Sequence, residues 1–131
     1  MNLLIADDEP PCRRAVELAL ENTGHKLTFA RDGAEAWWQL TDPERVFDLG
    51  IFDVKMPSAG GIALAKRIRA TEKFRLLPVI LCTGFADRTT VIAAAELGRC
   101  QFIVKPFEPP TLLDRIRRLM AEADAAAAPV A

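Results

Sequence analysis

The chain has one histidine, three cysteines and almost no net charge, and each shortage removes a class of function. His25 follows Gly24 with no second imidazole to join it, so no zinc set can form around it, and a surface loop position is expected. Cys12, Cys82 and Cys100 are odd in number, far apart and without CxxC spacing, which predicts buried free thiols rather than disulfides or metal ligands. A formal charge of −1 supplies no global field to draw nucleic acid or anionic lipid. Arg115, Arg117 and Arg118 form a local basic cluster, read at helical spacing as a solvated helix face. No apolar run approaches the roughly 20 residues a membrane span needs. No basic leader or cleavage site precedes the first apolar run, so a cytoplasmic protein is expected.

What is present suits one domain with one core: 131 residues, half of them hydrophobic and about a quarter charged. Apolar runs at 2–6, 26–30, 48–52, 78–82 and 101–104 have strand length. Segments with helical spacing alternate with them. Cys12, Ala15, Val16, Ala19 and Leu20 share one stripe, with Pro11 near the start and Gly24 as the expected cap. Residues 33–40 carry Ala36, Trp37 and Leu40. Residues 61–73 carry Ile62, Leu64, Ala65 and Ile68. Asp87 is placed to N-cap a fourth helix that Gly98 ends, and a fifth starts near Pro109-Pro110 and buries Leu112, Leu113, Ile116 and Met120. Trp37 and Trp38 cannot both face a core, so one is expected packed and the other exposed.

Strictly alternating βα units predict a parallel sheet with right-handed crossovers. The near-continuous apolar character of strands 1 and 3 to 5 predicts cover on both faces. The alanine-rich segment AEADAAAAPVA at 121–131 predicts a frayed helix end and then a tail or the start of a linker, giving a domain at 1–122 and a tail at 123–131.

The polar residues that follow the strands carry the chemistry. Asp7-Asp8, Asp53, Thr83 and Lys105 each end an apolar run, and parallel strands bring all of them to one carboxyl edge. In the doubly wound order 2-1-3-4-5, ligands bind at that edge, in the crevice between strands 1 and 3. Asp48 precedes its strand and is excluded from that edge. Three carboxylates in one crevice need a cation between them or a retained proton. Oxygen-only donors without His or a ligating Cys point to Mg²⁺, and Lys105 brings a second positive charge. A carboxylate there can attack a phosphoryl group and become an aspartyl phosphate. Phosphoryl transfer asks mainly for positioning and charge neutralisation, which Mg²⁺ and a lysine supply.

The set Asp7-Asp8, Asp53 with Met56-Pro57 and Gly61, Thr83-Gly84, and Lys105-Pro106-Phe107 resembles the receiver domain of two-component response regulators, over about residues 2–122. The resemblance implies a flavodoxin-like, doubly wound (βα)5 fold with helices on both faces. It implies that Asp53 takes a phosphoryl group from a histidine kinase or phosphotransfer domain. Asp8 would ligate Mg²⁺ directly, Asp7 largely through a water, and the Lys55 backbone carbonyl would complete the protein's share. Lys105 would pair with the phosphoryl oxygens, and the Lys105-Pro106 bond would be cis. Thr83 would swing toward the phosphoryl group, Phe102 would turn inward as the switch aromatic, and helix 4, strand 5 and helix 5 would form the readout surface. That surface would meet a downstream protein, a covalently linked output domain or a second copy as a homodimer. Phe102 lacks the hydroxyl that many relatives carry at this position, and bulky Phe85 is expected to slow self-hydrolysis.

On this reading the chain is a phospho-switch module rather than a turnover enzyme, either stand-alone or cut from a longer chain. The alternative is a small aspartate-nucleophile phosphohydrolase of the haloacid dehalogenase type. Those enzymes place an acid two residues after the nucleophile, where this chain has Lys55, and a substrate-capping insertion is absent. A flavin-binding flavodoxin relative would need a neutral phosphate loop after strand 1, and ADDEPP puts carboxylates there.

Overall fold

The computed structural model describes residues 1–57, 60–84 and 87–127. Its elements alternate throughout: β1 (Asn2–Ala6), α1 (Pro10–Ala19), β2 (Lys26–Ala30), α2 (Gly33–Thr41), β3 (Leu49–Asp53), α3 (Gly61–Ala70), β4 (Val79–Thr83), α4 (Arg88–Leu97), β5 (Cys100–Val104) and α5 (Pro109–Ala127). All strand pairings are parallel, in the order β2-β1-β3-β4-β5. The doubly wound α/β fold expected from the alternation is therefore the one observed.

Strand periodicity sorts the core into two layers. Leu3, Ile5, Leu49, Ile51, Ile80, Cys82 and Ile103 meet Val16 and Ala19 of α1, Leu20 just beyond it, and Leu112, Ile116 and Leu119 of α5. Leu4, Ala6, Ala30, Phe52, Val79 and Leu81 meet Ala36 and Leu40 of α2, Leu64, Ala65 and Ile68 of α3, and Ala94 of α4. β1, β3 and β4 are covered on both faces, and every residue of β3 and β4 is buried. β5 departs from the expectation: Ile103 alone is fully buried and Val104 is 39% exposed. Its apolar run lies at the sheet edge, where one neighbouring strand is missing.

The boundaries show where local chemistry overrides pattern. α1 stops at Ala19 with Leu20 as its cap, short of Gly24. Asn22 (φ 62°) and Gly24 (φ 79°) take the positive dihedrals of the turn into β2, and the Thr23 hydroxyl donates to the Leu20 carbonyl at 2.5 Å. α3 ends at Ala70, because Thr71 turns extended and donates its hydroxyl to the Arg67 carbonyl at 2.8 Å; a 3₁₀ turn, Glu72–Phe74, follows. α4 has the expected ends: the Asp87 carboxylate accepts from the Thr90 amide at 2.8 Å, and Gly98 (φ 64°) closes it. α5 continues through the alanines to Ala127.

Trp37 packs on the α2/α3/α4 layer, edge-on to Phe74 with ring centroids 6.0 Å apart, while Arg67 lies 3.9 Å over its ring. Trp38 is 78% exposed, so the two tryptophans divide as expected. The basic cluster on α5 is a solvated face only in part: Arg117 and Arg118 are exposed, Arg118 pairing with Asp114 at 3.0 Å, while Arg115 is half-buried and donates to the Phe102 carbonyl at 3.4 Å. Cys82 is buried; Cys12 and Cys100 are only half-buried, which corrects the expectation that all three thiols are interior.

Candidate functional site

The carboxyl ends of β1, β3, β4 and β5 converge as their register requires. Asp53 is the last residue of β3 and pairs with Cys82 of β4, so it shares the α1/α5 side of the sheet with Ile51. Asp7 lies two residues beyond Ile5 and Lys105 two beyond Ile103, on that same side. Thr83 ends β4 with the opposite parity, opposite Val104 and diagonal to Phe102, which pairs with Leu81. By strand parity the acid–lysine cluster belongs to the α1/α5 side and Thr83 and Phe102 to the other, yet Thr83, at the strand's end, lines the same cleft as Asp53 and Lys105. Asp48 immediately precedes β3 at the far end, where its carboxylate accepts the Asn2 amide at 2.7 Å.

Asp7 and Asp53 are only 3% and 6% exposed. Lys105 Nζ lies 2.8 Å from Asp7 Oδ2 and 3.3 Å from Asp53 Oδ1, so one ammonium serves both acids. The other Asp7 oxygen accepts the Glu9 amide at 3.0 Å, and Arg13 donates to the Asp7 carbonyl at 3.0 Å. Burial pushes the Asp53 carboxyl above its usual range; Lys105 pulls it down, Asp7 pushes it up, and the Lys55 amide draws it down again. Burial works against a charged Lys105, but the hydrogen bond to Asp7 and the two carboxylates outweigh it and raise its pKa.

Oxygens of Asp7, Asp8 and Asp53 lie within 4.8 Å of one another, with Asp8 exposed at the rim. Three carboxylates against one ammonium leave a surplus of negative charge, and all donors are hard oxygens. That donor set fits a divalent cation such as Mg²⁺ and does not fit a soft metal. The group opens into a cleft of about 500 Å³ whose walls include Pro11, Cys12 and Ala15 of α1, Val54 and Lys55, Gly84, and Pro106 and Phe107. The Lys105-Pro106 bond is cis.

The approach of α3 to the site depends on glycine. The Gly61 amide donates to the Val54 carbonyl at 3.2 Å. A Cβ on Gly60 would lie 2.5 Å from that oxygen, and one on Gly61 would fall on the carbonyl oxygen of Asp53. Thr83 is 6% exposed, and its carbonyl accepts the Lys105 amide at 2.7 Å, which ties β4 to the start of the β5–α5 loop. Phe102 is half-buried against the α2/α3/α4 layer. Phe85 lies outside the described residues. Sequence reasoning missed Cys12 as a site residue; it lines the cleft with Lys105, and its thiol lies 3.6 Å from a Glu9 carboxylate oxygen. Its place one turn into a helix that starts beside Asp8 was the available signal.

A family model described as the response regulator receiver domain matches residues 3–117. A chemotaxis protein CheY homolog of Campylobacter jejuni is 36% identical over 121 residues, covering 92% of both chains. A crystal structure of a putative response regulator from Chloroflexus aurantiacus has a TM-score of 0.83 and 33% identity, covering 92% of this chain and 97% of that one. The signal receiver domain of a signal transduction histidine kinase from Syntrophus aciditrophicus has a TM-score of 0.80 at 33% identity, covering 92% and 90%.

Proposed function

The chain belongs to the response regulator receiver domain family, and on that premise we propose that Asp53 is the phosphoacceptor through which it acts in two-component signalling. The observation that carries this assignment is the position of Asp53: last in β3, nearly buried, and sharing the ammonium of Lys105 with Asp7.

The donor is a phosphohistidine on a histidine kinase or phosphotransfer domain. An Asp53 carboxylate oxygen attacks phosphorus, the P–O bond forms as the P–N bond to imidazole breaks, and the imidazole leaves with its electron pair. Mg²⁺, when bound, neutralises charge on the transferring group; Asp8 and Asp53 would hold it, with the Lys55 carbonyl, and Asp7 would act through a water. Lys105 shifts its ammonium from the carboxylates to the new phosphoryl oxygens. The Thr83 hydroxyl donates to another of those oxygens, and the space it leaves lets Phe102, its diagonal neighbour on that side, turn inward.

The change is read on the surface of α4, β5 and α5, where Val91, Ile92 and Val104 are 41%, 44% and 39% exposed. Its partner there is a downstream protein, a linked output domain or a second copy of this chain. A cytoplasmic setting agrees with the finding that no helix among the described residues is long and apolar enough to cross a membrane. The receiver is assigned to about residues 1–122, although α5 itself runs on to Ala127. Nothing favours a phosphohydrolase, since the position two residues beyond Asp53 is Lys55.

The test is intact-mass measurement after treatment with a small acyl phosphate and Mg²⁺. The wild-type protein gains one phosphoryl unit, Asp53→Asn gains none, and Asp8→Ala needs more Mg²⁺ for the same gain. Wild-type uptake by Asp53→Asn would refute the assignment.

A further inference from the structure

Arg69, in the last turn of α3, reaches across to the end of α4 and holds it with two nitrogens of its guanidinium, Nε and Nη2. Nε donates to the Leu97 carbonyl at 3.0 Å and the Gly98 carbonyl at 3.2 Å, and Nη2 to the Gly98 and Arg99 carbonyls at 2.8 and 2.9 Å. Leu97 is the last residue of α4, so its carbonyl is one of those a helix end leaves without an internal partner. A cation there also meets the negative end of the helix dipole.

The backbone being held is unusual. Gly98 and Arg99 have φ of 64° and 46°, and Arg99 takes up the left-handed region without glycine's freedom. The Arg99 carbonyl accepts a second bond, from the Val79 amide at 3.0 Å, so the same point joins α3, α4 and the first residue of β4. The remaining nitrogen of the fork, Nη1, is buried with no hydrogen-bond partner among the described residues, so the guanidinium is placed by the carbonyls that Nε and Nη2 serve. At its other end α3 is seated on the site, through the Gly61 amide and the Val54 carbonyl.

We propose that Arg69 is a positioning residue that makes the C-terminal end of α4 a fixed pivot. Motion from the phosphorylated site is thereby confined to the helix's N-terminal turn, next to the loop that follows Thr83. Lysine cannot replace the fork, because a point charge meets one carbonyl where the guanidinium meets three. The direction of that motion rests on the receiver reading above; the clamp itself does not.

Amide hydrogen exchange on the full chain tests both parts. Without a phosphodonor, Arg69→Met should exchange about tenfold faster than wild type at residues 96–99 and be unchanged at 88–91; Arg69→Lys should fall between. With acyl phosphate and Mg²⁺, wild type should change at 88–91 and stay within about twofold at 96–99. Arg69→Met, phosphorylated to the same extent, should change at both. Equal protection of 96–99 in unphosphorylated wild type and Arg69→Met would overturn the clamp, and so would a phosphorylation response at 96–99 in wild type. If Arg69→Met does not fold, Arg69→Lys decides by the same comparison. If wild type takes up no phosphoryl group at Asp53, the phosphoacceptor assignment falls, and the unphosphorylated comparison still decides the clamp.

Discussion

Asp53 is 6% exposed and shares a single ammonium with Asp7, so ionising it costs more there than in water. Replacing it with asparagine removes one of two like charges from a tight space and leaves Lys105 its shorter contact, 2.8 Å to Asp7. Asp53→Asn should therefore stabilise the metal-free protein by about 1 kcal/mol, visible as a higher urea midpoint at unchanged slope. A lower midpoint would mean that the Lys105 contact to Asp53 outweighs the repulsion. Asp7, Asp8, Asp53, Thr83 and Lys105 were all legible in the sequence because each ends a short apolar run. The division of labour among them was not. It depends on which side of the sheet each residue faces, and that follows from the register Asp53↔Cys82 and Thr83↔Val104, which no single strand reveals.

At the scale of elements, two side chains cap their own helices: Asp87, as expected, and Asp32, which sequence reasoning did not single out. Asp32 precedes α2 and accepts the Glu35 amide at 2.8 Å. Asp32→Ala should cost about 1 kcal/mol, measured by chemical denaturation, with Asp32→Ser retaining most of the stability; a loss as large in the serine variant would assign the effect to something other than capping. At Asp87 the Thr90 amide and hydroxyl hold the carboxyl below its usual range. Because its folded value is depressed, the stability it adds is present above the ordinary carboxylate pKa and fades as pH falls through the lowered one. Where sequence and structure part, a neighbour decides. The pattern of 61–73 continues as helix, but the Thr71 hydroxyl satisfies the Arg67 carbonyl and lets the chain turn out. The Arg69 contacts lie 28 to 30 residues away along the chain, beyond the reach of any local pattern.

At the scale of the molecule, one sheet serves two cores, and adjacent strand residues belong to different ones. Leu4 and Ile5 are 0% and 1% exposed, the first against α2, α3 and α4 and the second against α1 and α5. Leu4→Ala and Ile5→Ala should each cost about 2–5 kcal/mol. Both should unfold in one transition by fluorescence and circular dichroism, since every strand of β1, β3 and β4 joins the two layers. Loss of one layer before the other in either variant would show two independent units. The unpaired flank of β5 has its own consequence. A sheet ending on a bare strand invites another chain to add itself there, and this one is screened by α5: Arg115 occupies the Phe102 carbonyl, and Gln101 reaches Glu122 at 3.3 Å. Those polar tethers occupy part of the backbone border of β5 and act as a fence against runaway strand-to-strand stacking there.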